Sequence, residues 1–145
     1  MESGFPQTIG KLRKNAFEEI WIALNEWNGK QLIDIRVYAR GREGIQPTPK
    51  GLSLPIDLYD ELQSAVLKFE KCIDSESPVV CFKKRKNEEV RISRGEFKGH
   101  QLINIRIFYS DEDGEMRATR KGVTFDLNLF SEFRRAIMAI EPIIA

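Results

Sequence analysis

Histidine occurs once in the 145 residues, at His100, and cysteine twice, at Cys72 and Cys81. A single imidazole removes histidine-built metal centres and histidine-dependent catalytic triads. Two cysteines are too few for a disulfide framework or a four-thiolate zinc site, so free thiols in a reducing compartment are expected. Charge of one sign is also missing, with 23 basic residues against 22 acidic ones. No run approaches the ~20 apolar residues that cross a bilayer, and no apolar signal segment opens the chain. These absences lead us to expect no enzyme, no metal, no cofactor and no membrane. The expected location is cytoplasmic: nucleoid-associated in a bacterium, nuclear in a eukaryote.

What is present is a normal apolar share, 41% hydrophobic positions, which excludes wholesale disorder. Balanced net charge does not exclude a nucleic-acid partner, because affinity depends on where the charges sit. Their location follows from an internal repeat. A shift of seventy positions lays WNGKQLIDIRVYARGREG (Trp27 to Gly44) over FKGHQLINIRIFYSDEDG (Phe97 to Gly114). Between Ile9–Gly44 and Val79–Gly114, twelve of thirty-six positions are identical. After one extra residue in the second copy, KGLSLPIDLYDELQSAV from Lys50 aligns with KGVTFDLNLFSEFRRAI from Lys121. The expected organisation is a flexible tail at 1–8, a first module at 9–71, a linker at 72–78 and a second module at 79–145.

Both modules carry the same signals. Glu19 to Trp27 and Gln31 to Tyr38 alternate, with Ile20, Ile22, Leu24, Ile33, Ile35 and Val37 on one face. Asn28-Gly29 and Lys98-Gly99 mark tight hairpins. Gly44 and Gly114 mark a second turn within a polar loop, after which Leu52 to Leu54 and Val123 to Phe125 form short strands. An earlier strand is expected at Lys11 to Ala16 and at Cys81 to Lys86. Leu58, Leu62, Ala65, Val66 and Phe69 recur at helical spacing, as do Leu129, Phe130, Phe133, Ala136, Ile137 and Ile140. Each module is therefore β-β-β-β-α, an α+β fold of curved antiparallel sheets. A module this small is marginal alone. Tyr59 and Phe130 widen the apolar stripe of each helix, so the helices are expected to pack together as an intrachain pseudo-two-fold dimer.

If the Ile face is covered, the opposite face presents Trp21, Trp27 and Arg36 in one copy, with Lys30 nearby. The other copy presents Arg91, Phe97 and Arg106, with Lys98 and His100. Rings interleaved with cations suit single-stranded nucleic acid, whose unpaired bases stack while the cations follow the phosphates. The same residues equally suit a cross-strand pair or a cation–π contact that needs no ligand. Asp111, Glu112, Asp113 and Glu115 form a carboxylate cluster whose ordinary explanation is a solvated turn, without the spaced ligands of a calcium site.

The run FKGHQLINIRIFYSDEDGEMRATRKGVTF, from Phe97 to Phe125, resembles the C-terminal domain of the transcriptional coactivator family called positive cofactor four. The matching parts are F-K-G, an aliphatic strand ending in I-R, an aromatic pair, D-x-x-G-E-M, and R-K-G. WNGKQLIDIRVY and KGLSL resemble a more diverged copy. The resemblance implies β-β-β-β-α modules that dimerise through their helices and bind single-stranded DNA on a sheet-lined groove. It implies DNA contacts at Phe97, Lys98, His100, Arg106, Tyr109, Arg117, Arg120 and Lys121, and at Trp27, Lys30, Arg36 and Lys50 in the first module.

Departures from the family pattern are concentrated in the first copy. Ala39 stands where the second copy has Tyr109, Asn28 replaces a lysine, and Gln46-Pro47-Thr48-Pro49 replaces the basic stretch around Arg117 and Arg120. His100 replaces a lysine in the second copy. Fewer phosphate contacts are expected from the first module. Simple alternation puts Tyr109 on the Ile face, so its strand is expected to bend or end there. Met1 to Thr8 holds no counterpart of the family's serine-rich, acidic regulatory tail, so a bare binding module is expected. The leading expectation is a non-enzymatic single-stranded DNA-binding protein of transcription or unwound-DNA handling, with little sequence preference. A protein-interaction or assembly module that lost DNA binding, a single-stranded RNA binder, and further homo-oligomerisation are the alternatives.

Overall fold

A computed structural model describes residues 5–145. The first module runs β1 (Gln7–Arg13), β2 (Glu18–Trp27), β3 (Lys30–Gly41), β4 (Gly44–Pro55), a 3-10 turn (Ile56–Leu58) and α1 (Tyr59–Cys72). The second runs β5 (Val79–Arg85), β6 (Glu88–Phe97), β7 (His100–Ser110), β8 (Met116–Asp126), a 3-10 turn (Leu127–Leu129), α2 (Phe130–Met138) and a final turn, α3 (Glu141–Ile144). Each set of four strands forms an antiparallel meander, β1-β2-β3-β4 and β5-β6-β7-β8. The Asn28-Gly29 and Lys98-Gly99 hairpins have positive φ at both central positions, the twist that matches flanking strands. The chain is thus the α+β pair of β-β-β-β-α modules expected from its repeat.

The strands extend further than the apolar pattern. β1 begins at Gln7 instead of Lys11 and ends at Arg13 instead of Ala16, and β5 runs from Val79 to Arg85 instead of from Cys81 to Lys86. Gln7 and Thr8 pair with Leu24 and Ala23, so the segment read as a tail contributes to the sheet edge; Met1 to Gly4 lie outside the described residues. The polar stretches read as a loop before Leu52 and Val123 belong to β4 and β8. A wide irregularity explains how strand and polar sequence coexist. Arg36 pairs with Gly51 and Tyr38 with Pro47, so Val37 faces the three residues Thr48, Pro49 and Lys50. In the second sheet Ile107 faces Thr119, Arg120 and Lys121 in the same way. Bulged residues leave the ladder, which relieves Pro49 of donating an N–H. Thr48 Oγ1 donates to the Val37 carbonyl at 2.7 Å and accepts from Lys50 N at 3.2 Å. Thr119 does the same with Ile107 and Lys121, at 2.7 and 3.1 Å. Ala39 pairs with Gln46 and Tyr109 with Arg117, which places the extra residue of the second copy in its β7–β8 turn.

The Ile faces of both sheets and both helices form one core, in which Ile20, Ile22, Ile33, Ile35, Ile92, Ile103, Ile105 and Phe69 are fully buried. The helices reach across as well as toward each other: α1 packs on β5 and β6, α2 packs on β1, and β4 lies beside β8. Gly10 of β1 comes so close to α2 that a Cβ there would stand 2.8 Å from Ala136 Cβ. The widened stripe is used at the helix pair. Tyr59 and Phe130 are both buried, and Phe69 and Phe130 have ring centroids 5.5 Å apart. Tyr59 donates its hydroxyl to the Ile137 carbonyl at 2.7 Å, and Arg134 pairs with Glu70 at 2.7 Å. Arg94 of β6 donates to the carbonyls of Ile73 and Ser75, fastening the connecting segment to the second sheet.

Candidate nucleic-acid interface

Alternation along the long hairpins fixes which side chains leave the core. Trp21 stands opposite Arg36 and Trp27 opposite Lys30; Arg91 stands opposite Arg106 and Phe97 opposite His100. Ile20, Ile22, Ile33 and Ile35 occupy the positions between and are sealed inside, so this face points away from the helices. At the two hairpin tips Trp27 is 66% exposed and Phe97 62% exposed. Large rings that open to water are available to stack. Lys98 Nζ lies 5.4 Å from the Phe97 ring centroid.

At the centre of each sheet an arginine lies against the bulge. Arg36 donates from Nη1 to the Thr48 carbonyl at 3.0 Å, and Arg106 to the Thr119 carbonyl at 3.2 Å. Their further partners differ. Arg36 forks onto Asp34, Nε to Oδ2 at 3.1 Å and Nη2 to Oδ1 at 3.0 Å. Ser53 Oγ also donates to Asp34 Oδ1, at 2.6 Å. In the second sheet the neutral amide of Asn104 takes the place of that carboxylate. Arg106 Nη2 donates to Thr124 Oγ1 at 3.3 Å, and that hydroxyl donates to Asn104 Oδ1 at 2.6 Å. Among the described residues Arg106 makes no ion pair. The bulges present Lys50 in one copy, and Arg120 and Lys121 in the other, all exposed.

Not every expected residue joins this surface. Trp21 faces outward, but its ring stacks on Tyr38 at a centroid distance of 3.9 Å and an 11° interplanar angle. Lys11 Nζ sits 4.1 Å from the same centroid. Two groups this close to one ring occupy its opposite faces, so neither face is open to a base; here the ligand-free cation–π arrangement holds. Arg91 likewise lies 4.3 Å from the Phe108 centroid and pairs with Glu89 at 2.8 Å. Tyr109 keeps the parity of Ile103, Ile105 and Ile107. The expected end of the strand does not occur, since β7 runs on to Ser110, and it pairs with β6 in continuous register to Tyr109. Tyr109 is 41% exposed, and it is Phe108 that takes the outward position. Arg117 is engaged by Asp111 and Glu115. The Arg117 guanidinium, with the backbone N–H groups of Glu115 and Asp113, holds the Asp111 carboxyl below its ordinary range. That carboxylate closes the β7–β8 turn.

Tyr38, Phe108 and Asp34 are the site neighbours that the pattern left unassigned, although the outward parity of all three is legible in the sequence. Trp27, Leu32, Asp34, Arg36, Tyr38 and Pro47 line an open groove of about 540 Å³ on the first sheet. Burial pushes the Tyr38 phenol upward, and the Asp34 charge adds to the shift.

A cationic, aromatic sheet face repeated on two β-β-β-β-α modules defines the class of this protein. The sequence pattern of the family described as Transcriptional Coactivator p15 (PC4) matches it twice, over residues 15–65 and 84–136. The chain belongs to that family, whose members are nucleic-acid-binding proteins known for single-stranded DNA binding and transcriptional coactivation. Solved structures give fainter likenesses. A PC4 homologue from Burkholderia pseudomallei is 19% identical over 46% of this chain and 92% of its own, with a TM-score of 0.42. The bacteriophage T5 homologue of the eukaryotic coactivator PC4, implicated in recombination-dependent DNA replication, is 23% identical over 48% of this chain and 77% of its own, with a TM-score of 0.38. No helix among the described residues is long and apolar enough to cross a membrane.

Proposed function

We propose that this protein binds single-stranded DNA on the outward faces of its two sheets, without catalysis and with little sequence preference, in transcription or in the handling of unwound DNA. Trp27 and Phe97 stack bases; Lys30, Lys50, Lys98, His100, Arg106, Arg120 and Lys121 face the phosphates. The observation that carries this reading is the pair of open rings at the hairpin tips, each on the same face as a cation-bearing strand. A duplex hides the base faces that such rings accept, so single strands are preferred. The interface stacks on rings and pairs with charge; a stacking contact accepts any base, which keeps sequence preference weak.

Fluorescence anisotropy with matched single-stranded and duplex oligonucleotides, repeated over a salt series, tests it. The expected result is tighter binding of the single strand, with log K falling by about 0.7 per phosphate neutralised for each unit of log salt. Equal affinity for both forms, or indifference to salt, overturns the mechanism. W27A and F97A should each weaken binding by ~1–3 kcal/mol, the range of one lost stacking contact. Because both side chains are exposed, melting temperatures should stay unchanged.

A further inference from the structure

The two copies offer a strand different chemistry at their centres. Asp34 is 4% exposed and forks onto Arg36, so the first sheet carries a locally neutral pair where the second carries an unopposed guanidinium. The scaffold around both is otherwise alike. A bulge carbonyl accepts from each arginine, and a β4 or β8 hydroxyl bridges to the residue two before it, Ser53 to Asp34 and Thr124 to Asn104. One carboxylate-to-amide exchange therefore sets the charge. Neighbouring positions lean the same way: Pro49 stands at the place of Arg120 and Asn28 at the place of Lys98. Lys30 at the place of His100, and the turn residues Arg40 and Arg42 at the places of Ser110 and Glu112, run the other way.

We propose that the halves divide one bound strand between them, with Asp34 as the determinant. The second module anchors phosphates through Arg106 and the Arg120-Lys121 bulge. The first, neutral at its centre, holds bases against Trp27 in the groove whose walls include Leu32, Tyr38 and Pro47. This inference rests on the single-stranded DNA reading above and adds which half does what.

Reciprocal substitutions test it, since each installs a residue that the equivalent position already accommodates. D34N frees the Arg36 charge; it should tighten single-stranded DNA binding about tenfold, the order of one charge-assisted contact, and steepen the salt slope by ~0.7. N104D should do the reverse. Circular dichroism melts of both variants check that the fold is kept. A gain of affinity cannot come from misfolding, so D34N remains decisive even if N104D is unstable. If the unaltered protein binds single strands in a salt-dependent way but folded D34N binds no tighter, the division of labour is overturned and the functional reading stands. If the unaltered protein shows no such binding, both fall.

Discussion

Gly51 and Gly122 sit where β4 and β8 press against the arginines of the neighbouring strand. A Cβ at Gly51 would lie 2.7 Å from the Ile35 carbonyl oxygen and 2.8 Å from Arg36 Cα; at Gly122 the distances are 2.5 and 2.8 Å to Ile105 and Arg106. These are backbone atoms in a paired strand, so they have little room to move. The Lys-Gly dipeptide thereby unites two demands: an exposed cation thrown out by the bulge, and a bare backbone that lets the central arginine lie flat beneath it. G51A and G122A should each cost about 2 kcal/mol of stability, seen as a drop of several degrees in thermal melts, and should weaken single-stranded DNA binding by displacing Arg36 or Arg106. An unchanged melting temperature in both would count against this role. The repeated Lys-Gly was visible in the sequence, but its cause was not. Close approach across strands leaves no mark in a one-dimensional pattern, and neither does the covering of Trp21 by Tyr38 and Lys11.

At the scale of elements, the hairpins were legible because alternating Ile residues and tight-turn dipeptides act locally. Of β4 and β8 only the inner ends, Leu52 to Leu54 and Val123 to Phe125, were legible, because their outer halves hold Pro47 and Pro49 or Arg117, Arg120 and Lys121, residues that propensity assigns to loops. Pairing with β3 and β7 overrides that preference, and the threonine-braced bulge absorbs the mismatch. The helix pairing was legible as an excess of apolar surface; the crossing of each helix onto the other module's sheet was not. Tyr59 of α1, hydrogen-bonded to Ile137 of α2, offers a test of the helix pairing. Burial pushes its phenol above the ordinary tyrosine range, against a hydrogen bond from Gln63 that works the other way. The folded state holds this proton more tightly than the unfolded chain. The resulting stability is complete below about pH 10 and is lost as pH rises through the raised value. Y59F should cost about 1 kcal/mol at pH 8, by removing the hydroxyl that donates to the Ile137 carbonyl and leaving it only the Ile140 N–H. The difference in melting temperature between Y59F and the unaltered protein should shrink as alkaline pH ionises the phenol. A constant difference from pH 8 to about 11 would contradict this.

For the whole molecule, one apolar cluster contains residues of both sheets and of α1 and α2. Neither half can lose its packing without exposing the other's, so calorimetry should record a single transition whose calorimetric and van't Hoff enthalpies agree. Two separated transitions would show halves that fold independently. The repeat and its pairing were legible at this scale because duplication preserves pattern over seventy positions, far longer than any chance match.

Carrying both copies on one polypeptide, with the connecting segment pinned by Arg94, also changes how the protein responds to scarcity. Two separate subunits drift apart as their number in a cell falls. Here the partner is tethered at a local concentration on the order of millimolar. A single chain already holds its two modules against one shared core, and evolution could alter one half without altering its twin.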